Sequence, residues 1–340
     1  MLKNIIINMK IITRTQKITI LLTLALFVII LFLIINPSRY INSAYNGILI
    51  WAKAVLPALF PFFFITRLLT ELGGIKILAN YFQGFMQKVF HVNGMGAYVF
   101  FMSMMSGYPV GAKITSELYE KSLISKEEAT RLVTFTSTSG PLFVIGTVGA
   151  GMFVSAKMGF VILLSHFLGA MLNGVLYRNH NYTQTSLNRK TRFELENAPE
   201  NILEKSMLSA INSILIVGGY ISVFFILIDI LSDVGLISML SALLNILFSL
   251  FSIDCYFSNS IVVGFIEMTR GCYELSTYFT DYTVATMVCT FIISFGGLST
   301  MLQAMTFLQR CEIKLSFFFK QKITHALFAC AISYVLCLIL

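Results

Sequence analysis

Two polar, glycine-bearing segments interrupt long apolar runs, and their residue types suit the binding of a small anion. The first runs from Ser106 to Lys113 (SGYPVGAK), and the second runs from Gly264 to Gly271 (GFIEMTRG). Backbone that leaves the helix at membrane depth finds no hydrogen-bond partner in lipid, so it persists only where it lines a wet cavity enclosed by protein. We therefore expect these two segments to form the binding site.

A second polar interruption follows each of these segments. The run from Thr136 to Pro141 (TSTSGP) follows the first, and the run from Ser294 to Thr300 (SFGGLST) follows the second. The same spacing of 33 residues separates two pairs of glycines, Gly107 with Gly140 and Gly264 with Gly297. The pattern predicts two similar halves, each with a turn followed by a broken helix.

The chemistry of such a site favours a carboxylate. Helix N-termini at Gly111 and at Gly140 present free backbone N–H groups and a partial positive charge. Lys113 and Arg270 add full positive charges, and arginine binds a carboxylate with two parallel hydrogen bonds. The candidate substrate-binding residues are Ser106, Gly107, Tyr108, Pro109, Gly111, Lys113, Thr138, Ser139, Gly140, Pro141, Glu267, Thr269, Arg270, Ser294, Gly296, Gly297 and Ser299.

Structural explanations stay open beside this functional one. Glycine and proline in membrane helices often only permit close packing or a kink, and Lys113 at a helix end suits snorkelling to the interface. Glu267 repels an anion unless it is protonated, paired with Arg270 or bound to a donor on the substrate. Spaced three residues apart, Glu267 and Arg270 also fit a structural helix pair. Buried without a partner, Glu267 is a candidate for proton coupling.

Composition defines the broad class. Hydrophobic residues make up 57% of the chain and charged residues only 12%, as expected for a polytopic membrane protein. The net charge of +8 is spread over clusters between apolar runs, which argues against a nucleic-acid partner. The six cysteines form no CxxC pair, and the four histidines lack ligand spacing. The sequence therefore predicts neither a disulfide framework, nor a metal, nor a cofactor.

The apolar runs predict roughly seven full membrane spans and two short pieces. The first run, Ile18 to Ile35, is too long for a signal peptide and is expected to remain as a helix. Ser125 and Glu128 form a capping-box pattern, which predicts a helix from Ala129 towards Gly151. The run from Leu236 to Phe251 either spans the membrane or lies flat on it.

The distribution of basic residues predicts the orientation. A cytoplasmic N-terminus with both short pieces turning back on their own side puts 20 of the 24 lysines and arginines inside. The cytoplasmic segments are then 1–17, 66–93, 113–131, 178–205 and 309–322. Letting either short piece cross fully would put one of the later basic clusters on the other face.

The expected fold is thus an all-α polytopic membrane protein with an inverted repeat. Each half has a re-entrant helical hairpin and a broken transmembrane helix, as in secondary transporters. The predicted division is an N-terminal cytoplasmic segment with the first helix (1–41), a first repeat (42–177), a cytoplasmic loop (178–205) and a second repeat (206–340).

The motifs also resemble a known family. Ser106 to Lys113, the following stretch from Leu118 to Ala129, Ser139-Gly140-Pro141 and Gly264 to Gly271 resemble the YlbJ family of sporulation integral membrane proteins, also called stage V sporulation protein V. The resemblance covers most of the chain from Asn42 onward. Its halves are similar to the nucleoside-recognition or gate domain, which is distantly similar to concentrative nucleoside transporters.

This resemblance implies a function in endospore formation. It implies transport of dipicolinic acid, a planar aromatic dicarboxylate, from the mother-cell cytoplasm across the outer forespore membrane. The candidate coupling ions are a proton and a sodium ion. The Gln-Thr/Ser-Glu pattern of the nucleoside transporters is absent, since Tyr108 to Gly111 stand in its place, which argues against a nucleoside. The alternatives are a nucleoside or other small metabolite as cargo, an intramembrane enzyme, or a scaffold for a spore membrane complex. No HExxH or GxGD motif supports an enzyme.

Overall fold

The computed structural model describes residues 14–182, 201–250, 257–278 and 281–339, and these residues form helices and connecting turns without a strand. Five helical stretches are long and apolar enough to cross a membrane. They are Pro37–Glu71, Ala156–Tyr177, Ile202–Asp233, Tyr282–Cys311 and Leu315–Ile339. The polytopic, all-α class predicted from composition is therefore confirmed.

The first half begins with three helices that lead to a hairpin. They are α1 (Arg14–Ile35), α2 (Pro37–Glu71) and α3 (Gly74–Phe90). Two prolines, Pro57 and Pro61, lie inside α2 without ending it. A π-helical segment over Trp51–Val55 comes just before Pro57, and its wider turn accommodates the missing N–H of that proline.

The hairpin of the first half joins α4 (Met95–Ser106) to α5 (Val110–Glu120), and its turn contains a cis Tyr108–Pro109 peptide bond. The broken helix follows as α6 (Lys126–Leu132), an extended stretch over residues 137–140, and the π-helix α7 (Leu142–Met152). The last helix of this half is α8 (Ala156–Tyr177).

The predicted capping box is present at the start of α6. Ser125 accepts a hydrogen bond from the backbone N–H of Glu128, and the Glu128 side chain accepts one from the backbone of Ser125. The helix that it starts is shorter than predicted, because it ends at Leu132 instead of running towards Gly151. The serine- and glycine-rich stretch from Thr136 to Gly140 interrupts it, where the sequence predicted a break.

The second half repeats this order of elements. It contains α9 (Ile202–Asp233), α10 (Leu236–Ser249), the hairpin helices α11 (Phe257–Ile266) and α12 (Met268–Tyr278), the broken helix α13 (Tyr282–Phe295) with α14 (Gly297–Leu308), and α15 (Leu315–Ile339). The hairpin arms touch closely, since a Cβ on Gly271 would lie 2.4 Å from the Cα of Gly264. Both predicted helix breaks therefore exist, and each follows a helical hairpin.

Close packing of small residues holds the two halves together. Helices α8 and α15, the last of each half, share the most extensive contact, and α2 packs along α9. A Cβ on Gly169 of α8 would lie 2.8 Å from the Cβ of Ala329 on α15. Such close approach of helix backbones is typical of membrane helix interfaces, where lipid offers no hydrophobic driving force.

A buried arginine fastens the ends of three helices. Arg131 of α6 donates hydrogen bonds of 3.1 Å to the backbone oxygens of His91, after α3, and of His180, after α8. His180 lies outside the candidate spans, and burial together with the positive charges of Arg131 and Lys320 lowers the pKa of its imidazole. These contacts fix the position of α6, and so of the break that follows it.

Five helical stretches within the described residues are long and apolar enough to cross a membrane, where the sequence predicted roughly seven full spans. The run from Ala129 to Gly151 is split into α6 and α7, whereas α1 has 22 residues, of which Thr19–Ile35 form the apolar part. Helix α10 has 14 residues. At 1.5 Å per residue it measures about 21 Å, which is less than the ~30 Å hydrocarbon thickness. Residues 1–13, most of the predicted 178–205 loop, and Cys255 lie outside the described residues.

Candidate functional site

Both hairpin turns and both helix breaks meet around one buried cavity of about 30 Å³. The hairpins and the broken helices contribute Gly107, Tyr108, Ser139 and Gly140 from the first half and Glu267, Met268, Thr269, Thr300 and Gln303 from the second. Helices α2, α7 and α9 add the apolar residues Val55, Leu59, Phe143, Val217 and Ile221. A space of this size holds water only, so a larger ligand enters when the walls move apart.

Four glycines allow the turns to touch the breaks. Gly107 has a φ of +79°, and a Cβ there would lie 2.5 Å from the backbone nitrogen of Gly140. Gly297 has a φ of +74°, and a Cβ there would lie 2.9 Å from the carbonyl oxygen of Gly264. These are the two glycine pairs that share the 33-residue spacing in the sequence. The equal spacing therefore corresponds to the same contact, a hairpin against the helix break that follows it.

Glu267 occupies the turn between α11 and α12 and is 2% exposed. Its Oε2 accepts a hydrogen bond of 2.7 Å from the backbone N–H of Arg270, so the carboxylate caps the N-terminus of α12. The guanidinium of Arg270 does not contact Glu267 but pairs with other carboxylates. The predicted contact between Glu267 and Arg270 is therefore made by the backbone N–H of Arg270. A carboxylate thus already sits where a helix end offers its donors to an anion.

Ser139 lines the cavity and carries a hydroxyl group that is unpaired in the described part of the chain. Its Oγ is buried and has no hydrogen-bond partner among the described residues. Its backbone N–H donates to Nε2 of His166 at 2.8 Å, which fixes the extended stretch before α7. A buried hydroxyl without a partner costs free energy, and a ligand in the cavity would satisfy it.

Other predicted hydroxyl groups are bonded within the protein. Their partners are Thr66 for Ser106 (2.7 Å), the carbonyl oxygen of Ser103 for Thr138 (3.1 Å), His166 for Ser294 (2.8 Å) and Gln303 for Ser299 (3.3 Å). Pro109 and Pro141 precede the first turns of α5 and α7. A Cβ on Gly111 would lie 1.9 Å from the carbonyl oxygen of Thr136, so its place is filled by protein backbone.

Lys113 and Arg270 lie away from this cavity, on the flanks of the hairpins. Nζ of Lys113 donates to the hydroxyls of Ser209 (2.7 Å) and Ser213 (2.9 Å) on α9. Arg270 pairs with Asp229 of α9 at 2.6 Å and with Glu274 at 3.1 Å. Arg270 also borders a second, polar cavity of about 410 Å³ between α2, α9 and α12.

The structure adds a buried cation that the sequence reasoning assigned to a cytoplasmic loop. Lys322 lies inside α15 and is 1% exposed. Its Nζ donates to the hydroxyl of Tyr108 at the first hairpin turn and to the carbonyl oxygen of Ser137 in the first break at 3.0 Å. The positive-inside count therefore included a lysine that is part of the core. The available signal was His325, three residues along the same helix face.

Two histidines join this lysine to the second half. His325 Nδ1 lies 3.4 Å from Nζ of Lys322, and its Nε2 lies 2.9 Å from the backbone oxygen of His166. Nδ1 of His166 lies 2.8 Å from the hydroxyl of Ser294, at the end of α13. The sequence shows no ligand spacing among the histidines, whereas the structure connects His166 and His325 in one polar network.

The arrangement defines an integral membrane protein of the nucleoside-transporter fold. A double variant of the concentrative nucleoside transporter CNTnw, solved in an outward-facing state, matches with a TM-score of 0.54 and 13% identity over 84% of this chain and 75% of that one. The family model described as "Gate: Nucleoside recognition" matches residues 52–176. At this identity the structural match concerns the fold alone.

The sequence is also similar to that of a bacterial sporulation protein. The chain is 28% identical over 333 residues to the sporulation integral membrane protein YlbJ of Bacillus subtilis (strain 168), which covers 92% of this chain and 82% of the relative. The resemblance expected from the hairpin motifs is thereby confirmed.

Proposed function

We propose that the chain is a transporter that moves dipicolinate across the outer forespore membrane of a spore-forming bacterium by alternating access. The observation that carries the proposal is the meeting of two hairpin turns and two helix breaks around one buried cavity. Interrupted helices from two repeats that face a shared site are the usual design of secondary transporters. The name of the sporulation relative supports the cellular setting.

The proposed path opens on one side at a time. The two hairpins are re-entrant and enter from opposite faces, with the N-terminus in the cytoplasm. Movement of one hairpin away from its helix break exposes the cavity to one side, while the other hairpin stays closed. At the glycines, the backbone of each hairpin packs directly against the backbone of its helix break. The hairpin and the break can therefore move apart without any side chain changing its rotamer.

Glu267 marks the place of a cargo carboxylate. Its own carboxylate accepts the backbone N–H of Arg270 at the N-terminus of α12. A carboxylate of dipicolinate takes this position when Glu267 is protonated or turns aside, and the second carboxylate reaches the Ser139 hydroxyl. The apolar side chains of Leu59, Phe143 and Val217 then contact the aromatic ring, since they line the same cavity.

A nucleoside or another hydroxyl-rich metabolite is the second candidate cargo. Glu267 is the one charged side chain among the residues that line the cavity, whereas Thr269, Thr300 and Gln303 are neutral. A carboxylate accepts hydrogen bonds from sugar hydroxyls and repels an anion. This observation favours a neutral cargo with several donors.

Transport by the purified chain in liposomes tests the proposal. Radiolabelled dipicolinate and uridine are offered separately, with protein-free liposomes as the control and with imposed proton or sodium gradients. The proposal expects saturable uptake of dipicolinate that unlabelled dipicolinate inhibits and uridine does not. Uptake of uridine alone would establish the second candidate, and uptake of neither compound under any gradient would contradict the proposed transport of both.

A further inference from the structure

Lys322 is a buried lysine whose amine contacts neutral groups. Its Nζ has three acceptors, namely the hydroxyl of Tyr108, the carbonyl oxygen of Ser137 at 3.0 Å and Nδ1 of His325 at 3.4 Å. Within the described residues Lys322 forms no ion pair with a carboxylate. A buried charge without a counter-charge is costly, so its retention points to a function.

The neighbouring titratable groups are neutral by their hydrogen bonds. The Ser139 N–H donates to Nε2 of His166, so this ring carries its proton on Nδ1 and donates to Ser294. Nδ1 of His325 lies 3.4 Å from the Lys322 nitrogen and accepts from its ammonium form, so the ring is neutral with its proton on Nε2, which donates to the backbone oxygen of His166. Tyr108 is the remaining titratable group that contacts the lysine. The exchangeable charge of the cluster is therefore the ammonium group itself.

Tyr108 connects this ammonium group to the cavity. The tyrosine lines the cavity, and its ring lies under the ammonium, with Nζ 4.7 Å from the ring centroid. Its hydroxyl also faces the second helix break, since a Cβ on Gly296 would lie 3.4 Å from it. The hydroxyl thus touches Lys322 and lies beside the second helix break, while the tyrosine itself lines the cavity.

We propose, on the basis of the transport function above, that Lys322 is the proton-binding site that couples to the cargo, and that Tyr108 transmits its state. The charged ammonium donates to the Tyr108 oxygen, which leaves the hydroxyl proton of Tyr108 for a carboxylate in the cavity. After Lys322 releases one proton to water, its amine has a lone pair, and the Tyr108 hydroxyl donates to that amine instead. The tyrosine then presents only lone pairs to the cavity and repels an anion.

This reversal links proton binding to anion binding. Each protonation state of Lys322 favours one orientation of the Tyr108 hydroxyl, and only one orientation donates to a carboxylate. Binding of the anion and of the proton must then strengthen each other by the same factor. Lys322 also donates to the carbonyl oxygen of Ser137, so its protonation state acts on the first helix break as well as on Tyr108.

Isothermal titration calorimetry of dipicolinate binding tests this coupling. Titrations of the detergent-solubilised protein in two buffers of different ionisation enthalpy give the number of protons taken up per ligand. The inference expects uptake of up to one proton by the wild type and an affinity that weakens up to tenfold per unit rise in pH. Lys322→Gln should abolish the uptake. Lys320→Gln is the control, because Lys320 is exposed on the same helix.

A second variant covers the case in which Lys322→Gln does not fold. Tyr108→Phe retains the ring and removes only the hydroxyl, so it should bind dipicolinate more weakly, without proton uptake. Binding by the wild type without proton uptake, or unchanged uptake in Tyr108→Phe, would overturn the coupling while leaving the proposed cargo in place. Absence of dipicolinate binding by a folded wild type would overturn the proposed cargo, and this inference with it.

Discussion

Lys113 and Arg270 occupy equivalent positions in the two hairpins and both bind helix α9. Each lies six residues after the glycine that contacts the helix break, Gly107 or Gly264. Lys113 donates to serine hydroxyls near the start of α9, and Arg270 pairs with Asp229 near its end. Helix α9 is thus a common support for both hairpins, and these cations are the contacts that a moving hairpin has to release.

The Arg270–Asp229 pair should stabilise the second hairpin measurably. Both side chains are about four-fifths buried, and the pair is 2.6 Å long. We expect a coupling energy of roughly 1 kcal/mol, within the range for residues that share a hydrogen-bond network. Thermal unfolding of Arg270→Gln, Asp229→Asn and the double variant measures it. Strictly additive effects of the two substitutions would show that the pair does not hold the hairpin.

Gly297→Ala should destabilise the fold by about 2 kcal/mol. The substitution puts a Cβ on a residue with a φ of +74° and 2.9 Å from the Gly264 carbonyl oxygen, so strain and overpacking add. Gly219→Ala on α9 is the matched control, because a Cβ there meets nothing within 4 Å. Thermal unfolding should separate the two variants. Equal stabilities would mean that the break does not require this glycine.

Ser139→Ala should weaken dipicolinate binding about tenfold without lowering stability. The Ser139 hydroxyl has no partner among the described residues, so its removal leaves no broken bond in the protein. The neighbouring Thr138→Val should lower the stability of the fold and leave dipicolinate binding unchanged. Its hydroxyl donates to the Ser103 carbonyl oxygen at 3.1 Å, and loss of that bond costs about 1 kcal/mol. Calorimetric binding and thermal unfolding of both variants check this, and a loss of binding in Thr138→Val alone would contradict it.

Glu267→Gln should distinguish the two candidate cargoes. The substitution removes the negative charge from the cavity and keeps an oxygen to accept the Arg270 N–H. Dipicolinate should therefore bind several-fold more tightly, since repulsion is relieved. A cargo that donates hydroxyl protons to Glu267 should instead bind at least tenfold more weakly. Competition binding with dipicolinate and uridine gives the answer, and weaker dipicolinate binding would contradict the role given to Glu267.

The turns and breaks were predictable because their signals are local. Glycine, proline and serine within a few residues interrupt a helix whatever the rest of the chain does, so Gly107, Gly140 and the Gly296–Gly297 pair marked real breaks. The capping box at Ser125 was equally local. The length of α6 was not predictable, because the sequence pattern does not specify how many residues a helix break occupies.

The side-chain partners were less predictable because they join distant parts of the chain. Lys322 reaches Tyr108 across more than two hundred residues, and a lysine near the start of an apolar helix, two residues after Lys320, is indistinguishable in sequence from a loop charge. The direction of Lys113 depends on which face of α5 packs against α9, which one sequence does not reveal. Gln303 lines the cavity from α14 without any motif around it.

The central claim is that one cavity between the hairpins opens alternately to the two faces of the membrane. A single cysteine at Ser139, in a chain without its native cysteines, places a reporter at that cavity. Labelling by a membrane-impermeant maleimide is measured in right-side-out and in inside-out vesicles. The account predicts labelling from both sides and protection by dipicolinate on both. Labelling from one side only, or labelling that dipicolinate leaves unchanged, would contradict it.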